Sequence, residues 1–274
     1  MLFEGRTQNG FVIKKLAEFL QNVLDASVLE IRQDGVYMRR MNDSETLSVD
    51  LFLARRNFLV YRLSSPTPIK FRLQNRTFFR TLKDIKKTDG LEIACPDSGD
   101  ELHFRYLPKE GIGIRTKITI DTDVQLEEIE LPTPEMYALS TPVSTDERPE
   151  YYSGCVTFPS GEFHKTIRSF GNMGNSNKII SMQANDVFVS ISAGTDRIYG
   201  REGFFGTVEL EPCIPSVQLG TFQYNRLNKL SKLSGMGDII SLFWSEEYPL
   251  LIETPIGSLG RLRVYVQTEE EINN

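Results

Sequence analysis

Histidine, cysteine and tryptophan are scarce in this chain of 274 residues, which holds two, three and one of them. His103 and His164 supply little for a metal site or a histidine-based catalytic triad. Cys95, Cys155 and Cys213 are odd in number and far apart, with no CxxC spacing to suggest a disulfide staple or a zinc site, and all three read as small core residues. No apolar run approaches the roughly 20 residues needed to span a bilayer, and the opening MLFEGRTQNG lacks the charged-then-apolar order of a secretory signal. A soluble, intracellular protein with no membrane contact is expected. Catalytic groupings are missing too. Residues 171–178 do not form a GxxxxGK(S/T) phosphate cradle and read as a helix stop followed by a turn. The acids Glu246 and Glu247, and Glu269 to Glu271, fall on a turn and a tail, where solvated charge is the expectation. The chain reads as a non-enzyme that needs no cofactor or metal.

Positive charge is also short, with 31 Lys and Arg against 37 Asp and Glu, and a net charge of -6 taken as an average argues against a nucleic-acid partner. The average hides a segregation. Residues 121–152 show no helical or strand period, contain Pro132, Pro134, Pro142 and Pro149, and carry nine acids against the single base Arg148. They read as a long acidic connector between two domains, 1–120 and 153–274.

The two flanking parts follow one plan. Amphipathic segments at 11–24 and 161–170 are each followed by a turn-and-strand phrase, Asp34-Gly35-Val36-Tyr37 and Asn185-Asp186-Val187-Phe188, with 20 positions from Lys14 to Asp34 and 20 from Lys165 to Asn185. Second helical segments follow at 75–87 and 223–234, and strand-like runs at 91–95 with 102–107 and at 239–244 with 249–254 close each part. Leu47, Val49, Leu51 and Leu53 alternate with Ser48, Asp50 and Phe52, and Leu262, Val264 and Val266 alternate with Arg261, Arg263 and Tyr265, which predicts half-buried antiparallel sheet. The fold class expected is α+β, two duplicated domains, each with two helices on curved antiparallel sheets.

The four helical segments gather the positive charge. Arg76, Arg80, Lys83 and Lys87 recur at i, i+4, i+7 and i+11, opposite Phe78, Phe79, Leu82 and Ile85. Arg226, Lys229 and Lys232 alternate with Leu227, Leu230 and Leu233 without any acid, while Lys14 and Lys15, and Lys165 and Arg168, point away from Ile13, Leu16, Leu20, Phe163 and Ile167. The four segments hold twelve bases and three acids, so they carry +9 and the remainder of the chain -15. Any amphipathic helix shows charge to water. Four helices that are all net positive in an acidic chain point instead to a shared basic surface for a polyanion, through phosphate contacts that do not read sequence.

Several phrases carry a family resemblance. They are Phe158-Pro159-Ser160-Gly161-Glu162-Phe163, Gly35-Val36 with Met41-Asn42-Asp43-Ser44, Tyr248-Pro249-Leu250-Leu251-Ile252-Glu253, and MLFEGR followed by GFVIKKLAEFL. Together they resemble the DNA sliding clamp family over essentially the full length. The resemblance implies a head-to-tail homotrimer, a ring of six like domains whose helices line a hole for double-stranded DNA. The cations named above would be the DNA-binding residues. It also implies subunit contacts near 112–120 and 196–201, with Ile114, Thr116, Ile118, Arg197 and Tyr199 in them. A groove under the connector would take peptides of DNA polymerase and other partners, at Met41, Leu126, Ile129, Leu131, Pro132, Pro249 and Tyr265. A clamp loader ATPase and a nuclear location, or a viral replication compartment, follow from the same resemblance. The alternatives are a subunit of a heterotrimeric or dimeric checkpoint-type clamp and a protein-only scaffold. The sequence departs from the family at Glu45, Thr46 and Ser48, at Gln267 and Thr268, and in the length of the connector, as a divergent viral or protist member would.

Overall fold

The computed structural model describes residues 1–109, 113–120, 152–172, 179–184, 188–196, 199–206, 217–245 and 248–272. Strand β1 (Phe3–Thr7) leads into α1 (Gly10–Val23), followed by β2 (Ala26–Ile31), β3 (Gly35–Met41), β4 (Leu47–Ala54), β5 (Val60–Leu63), β6 (Ile69–Gln74), α2 (Asn75–Leu82), β7 (Gly90–Cys95), β8 (Glu101–Leu107) and β9 (Arg115–Thr119). Among the described residues the order then repeats as β10 (Gly154–Pro159), α3 (Ser160–Ser169), β11 (Ile179–Ala184), β12 (Phe188–Asp196), β13 (Tyr199–Gly206), β14 (Val217–Gln223), α4 (Tyr224–Leu230), β15 (Ile239–Trp244), β16 (Leu250–Ile256) and β17 (Gly260–Val266). A short α5 (Glu269–Ile272) follows. The fold is α+β, few helices on antiparallel sheets, with the duplicated element order that the landmarks predict.

The chain divides into two compact units, Met1–Leu126 with Lys232–Asp238 and Glu253–Val264, and Glu127–Ser231 with Ile239–Ile252 and Tyr265–Asn274. In the first unit one antiparallel sheet runs β5-β1-β7-β8-β9, and β6-β2-β3-β4 are successive antiparallel neighbours in another. In the second unit β13-β12-β11-β14 form an antiparallel sheet and β10 pairs antiparallel with β15.

Helix α1 forms because Ile13, Leu16, Ala17, Leu20 and Val23 recur at helical spacing, and all are buried. Helix α2 starts from a buried polar knot. The Asn75 amide donates to the Leu24 carbonyl at 2.8 Å, its side-chain oxygen accepts from Ser27 at 2.8 Å, and its backbone N–H donates to the Asp25 carbonyl at 3.0 Å. Gly35, the landmark of the β2–β3 turn, is required by close approach: a Cβ there would lie 2.3 Å from the Leu53 carbonyl oxygen.

The alternation in β4 and β17 predicts one wet face, and the structure corrects this. Ser48, Asp50, Arg261 and Arg263 are as buried as their apolar neighbours. Charges pack against one another on the face expected to meet water: Arg39 Nε donates to Asp50 at 2.9 Å and Arg263 Nε to Glu253 at 2.6 Å, all within the first unit. Burial pushes the Asp50 carboxyl up to about 6, against the opposing pull of Arg39, Arg263 and Arg261.

A carboxyl raised in this way holds its proton more tightly in the folded chain than in the unfolded one. Its contribution to stability is therefore full below about pH 4 and is lost as the pH rises through about 6, a change on the order of 3 kcal/mol. Urea denaturation across this window should show that Asp50→Asn removes this component, so that the stability difference between variant and parent shifts with pH. A difference that stays constant would contradict the buried titration.

Candidate nucleic-acid interface

In the first unit α2 packs beside α1 and against β6 and β9, burying Phe78 and Leu82 while Phe79 is half-buried. Arg76 and Arg80 project to solvent from the other side. The segment expected to be helical to Lys87 ends at Leu82, because buried Asp89 accepts from the Lys86 N–H at 2.9 Å and its own N–H returns to the Lys86 carbonyl at 3.1 Å. Lys83 and Lys87 thus stand on a turn, not on a helical stripe, and both remain exposed.

Lys14 and Lys15 correct the expectation of two outward-pointing cations. Both are half-buried, with Nζ over the Phe11 ring at 5.5 and 5.6 Å. Lys14 donates to the Ile85 carbonyl at 2.8 Å, and Lys15 to Glu18 at 2.7 Å. Lys232, which belongs to the first unit, reaches the other Glu18 oxygen at 2.9 Å. The Glu18 carboxyl loses hydration on partial burial, yet the hydrogen bonds from Lys15 and Lys232 hold it below the usual carboxylate range. The charge pattern did not single out Glu18. Its spacing of three from Lys15 was the available signal.

In the second unit α3 buries Phe163 and Ile167 and exposes Lys165 and Arg168, and the ring Nδ1 of His164 lies 3.0 Å from the Ser231 carbonyl oxygen. Helix α4 buries Leu227 and Leu230 and exposes Lys229. Arg226 is a second correction: it is buried, donating to the Gln267 carbonyl at 2.8 Å and pairing with Glu269 at 3.0 Å. Leucine spacing along α4 misplaces it because the C-terminal tail covers that side. The tail acids are accordingly engaged, Glu269 also accepting from Gln223 and Glu270 from Thr221. Arg76, Arg80, Lys83, Lys87, Lys165, Arg168 and Lys229 have no carboxylate partner within 4.0 Å among the described residues.

The strands expected at a subunit boundary lie at sheet edges. β9 ends the β5-β1-β7-β8-β9 sheet and β13 ends the sheet of β11 to β14. On and beside β9, Ile114 is exposed and Thr116 and Ile118 are half-buried. Arg197 and the side chain of Tyr199 lie outside the described residues. Of the expected groove, Met41 is half-buried at the end of β3 opposite Ser48, Pro249 is buried with its carbonyl accepting from Tyr152 at 2.9 Å, and Tyr265 is buried. Leu126, Ile129, Leu131 and Pro132 lie outside the described residues, as do residues 173–178, Asn185 to Val187, Glu246 and Glu247, Cys213 and the connector up to Tyr151. Cys95 is buried, whereas Cys155 is half-exposed and not a full core residue. Among the described residues no His, Cys, Asp and Glu group is arranged to hold a metal ion, and no helix is long and apolar enough to cross a membrane.

Residues 2–132 match the family model described as the proliferating cell nuclear antigen N-terminal domain. Over 272 residues, 97% of this chain and 97% of the relative, the sequence is 21% identical to the proliferating cell nuclear antigen of Chaetomium thermophilum.

The engagement of Arg226 separates it from the exposed cations by experiment. Arg226→Ala strands Glu269 and the Gln267 carbonyl and should lower stability by about 1–3 kcal/mol in chemical denaturation. Its DNA association should stay at the parental level, and a loss as large as that from an exposed lysine would restore Arg226 to the DNA surface.

Proposed function

From the match of residues 2–132 to the proliferating cell nuclear antigen N-terminal domain and the full-length similarity to one such protein, we propose that this chain is a divergent member of the sliding-clamp family and a DNA polymerase processivity factor. It acts as a non-enzymatic homotrimeric clamp, encircling duplex DNA and holding polymerase and other replication and repair proteins to it in the nucleus. The observation that carries this reading is the set of exposed cations that have no carboxylate partner among the described residues, on α2, the turn after it, α3 and α4, in a chain of net charge -6. Such cations meet a phosphate backbone without reading bases, which leaves the protein able to move along the duplex.

The edge strands support the assembly. Among the described residues β9 and β13 each have an unpaired side, and joining β9 of one copy to β13 of the next, head to tail, closes a ring and removes two exposed edges. The partner groove is assigned to Met41, Leu126, Ile129, Leu131, Pro132, Pro249 and Tyr265, and a separate loader ATPase opens the ring. Glu45, Thr46 and Ser48 beside Met41 make its peptide preference distinct from that of relatives.

Topological binding has a specific signature. Loaded protein should remain on nicked circular DNA and be released when the circle is cut, whereas a protein-only scaffold shows neither. Lys83→Glu combined with Lys229→Glu should weaken DNA association several-fold and flatten its salt dependence, by about 0.9 in log–log slope for each phosphate no longer neutralised. The trimer should persist in light scattering. Unchanged association would remove these residues from the DNA surface.

A further inference from the structure

Glu18 occupies a position in the basic layer that helix amphipathicity does not require. It is the single acid of α1, and each of its carboxylate oxygens accepts from a different lysine, Lys15 at 2.7 Å and Lys232 at 2.9 Å. The lysine side chains keep 29% and 44% of their exposure, so both ammonium groups remain within reach of a ligand in solvent. Ion pairs this exposed add little to folding stability. Their larger consequence is for charge: two of the cations expected to meet phosphate already have a carboxylate partner, while Arg76, Arg80, Lys83 and Lys87 in the same unit have none among the described residues.

We propose that Glu18 is a built-in counter-ion that competes with DNA phosphates for Lys15 and Lys232 and so keeps the clamp's hold on the backbone weak enough for sliding. The inference rests on the helices facing DNA. A phosphate that approaches either lysine must displace a carboxylate already at hydrogen-bond distance, and that carboxylate also repels it. Strong phosphate contacts add affinity and salt dependence together, because each neutralised phosphate releases condensed counter-ions. A surface whose task is to stay loosely attached gains from one acid that restrains two bases.

The test is Glu18→Gln in the full chain, which keeps the size of the side chain and removes its charge. Binding to a short linear duplex is followed by fluorescence anisotropy over a series of low potassium chloride concentrations. The variant should bind several-fold more tightly, with the log–log salt slope steeper by about 0.9, because removing one negative charge leaves the two lysines one further positive charge without a counter-ion. Adding Lys15→Gln and Lys232→Gln should abolish the gain. A merely structural role predicts a lower melting temperature with affinity and slope unmoved, and that result overturns the proposal. Lys232→Gln in the Glu18→Gln background supplies a second arm. It should bring the slope back by about 0.9, to near the parental value, and a slope that stays at the Glu18→Gln value would count against the proposal. If Lys83→Glu with Lys229→Glu weakens binding while Glu18→Gln does not strengthen it, the DNA surface stands and the counter-ion role alone fails. If neither changes binding, both fail.

Discussion

Asn75 sits fully buried at the first turn of α2, and the outward face of the first unit depends on how its polar atoms are used. A side-chain amide without water is stable only when its donors and acceptors are matched. Here the amide closes the Leu24 carbonyl left open at the end of α1, the oxygen takes the Ser27 hydroxyl, and the backbone N–H takes the Asp25 carbonyl. The start of α2 is thereby tied to the end of α1, and Phe78 and Leu82 can enter the core only with Arg76 and Arg80 turned outward. The placement of charge is thus set by a neutral, buried contact.

Charge itself is handled in two ways. Where a charge is buried, as at Asp50 beside Arg39 and at Arg263 beside Glu253, a partly exposed partner of opposite sign offsets its desolvation. The opposite holds on the helices, where most of the exposed cations have no carboxylate partner among the described residues. Repulsion among them is tolerable because they are solvated and screened over roughly 10 Å at 0.1 M salt. Glu18 stands between these regimes, partly buried and shared by two lysines. The tail acts comparably at α4, where Glu269 removes Arg226 from the surface.

Much of this was legible in the amino-acid sequence because periodicity and duplication are local signals. Helices α1 and α3, the repeated element order, and the strands at 90–95, 101–107 and 239–244 follow from apolar spacing and turn residues. Long-range contacts were not legible. The early end of α2 depends on Asp89 capturing the Lys86 N–H, the burial of Arg226 on a tail some forty residues away, and the pairing of Glu18 with Lys232 on a segment distant in the chain. The alternation in β4 revealed the strand and misjudged its second face, since periodicity tells two faces apart but cannot say that the polar one will be covered by other charges. Sequence places Arg76, Arg80, Lys165, Arg168 and Lys229 on helices but misplaces Lys83 and Lys87, and tertiary contacts decide which cations keep their charge uncompensated.

The proposed closed ring of identical copies, with its helices around DNA, would give the exposed cations and the edge strands β9 and β13 a common purpose. Electron-microscope images of single particles of the purified protein should show closed rings with three-fold symmetry and a central opening wide enough for a duplex. Compact single-copy particles, or open arcs that never close at any protein concentration, would refute the ring.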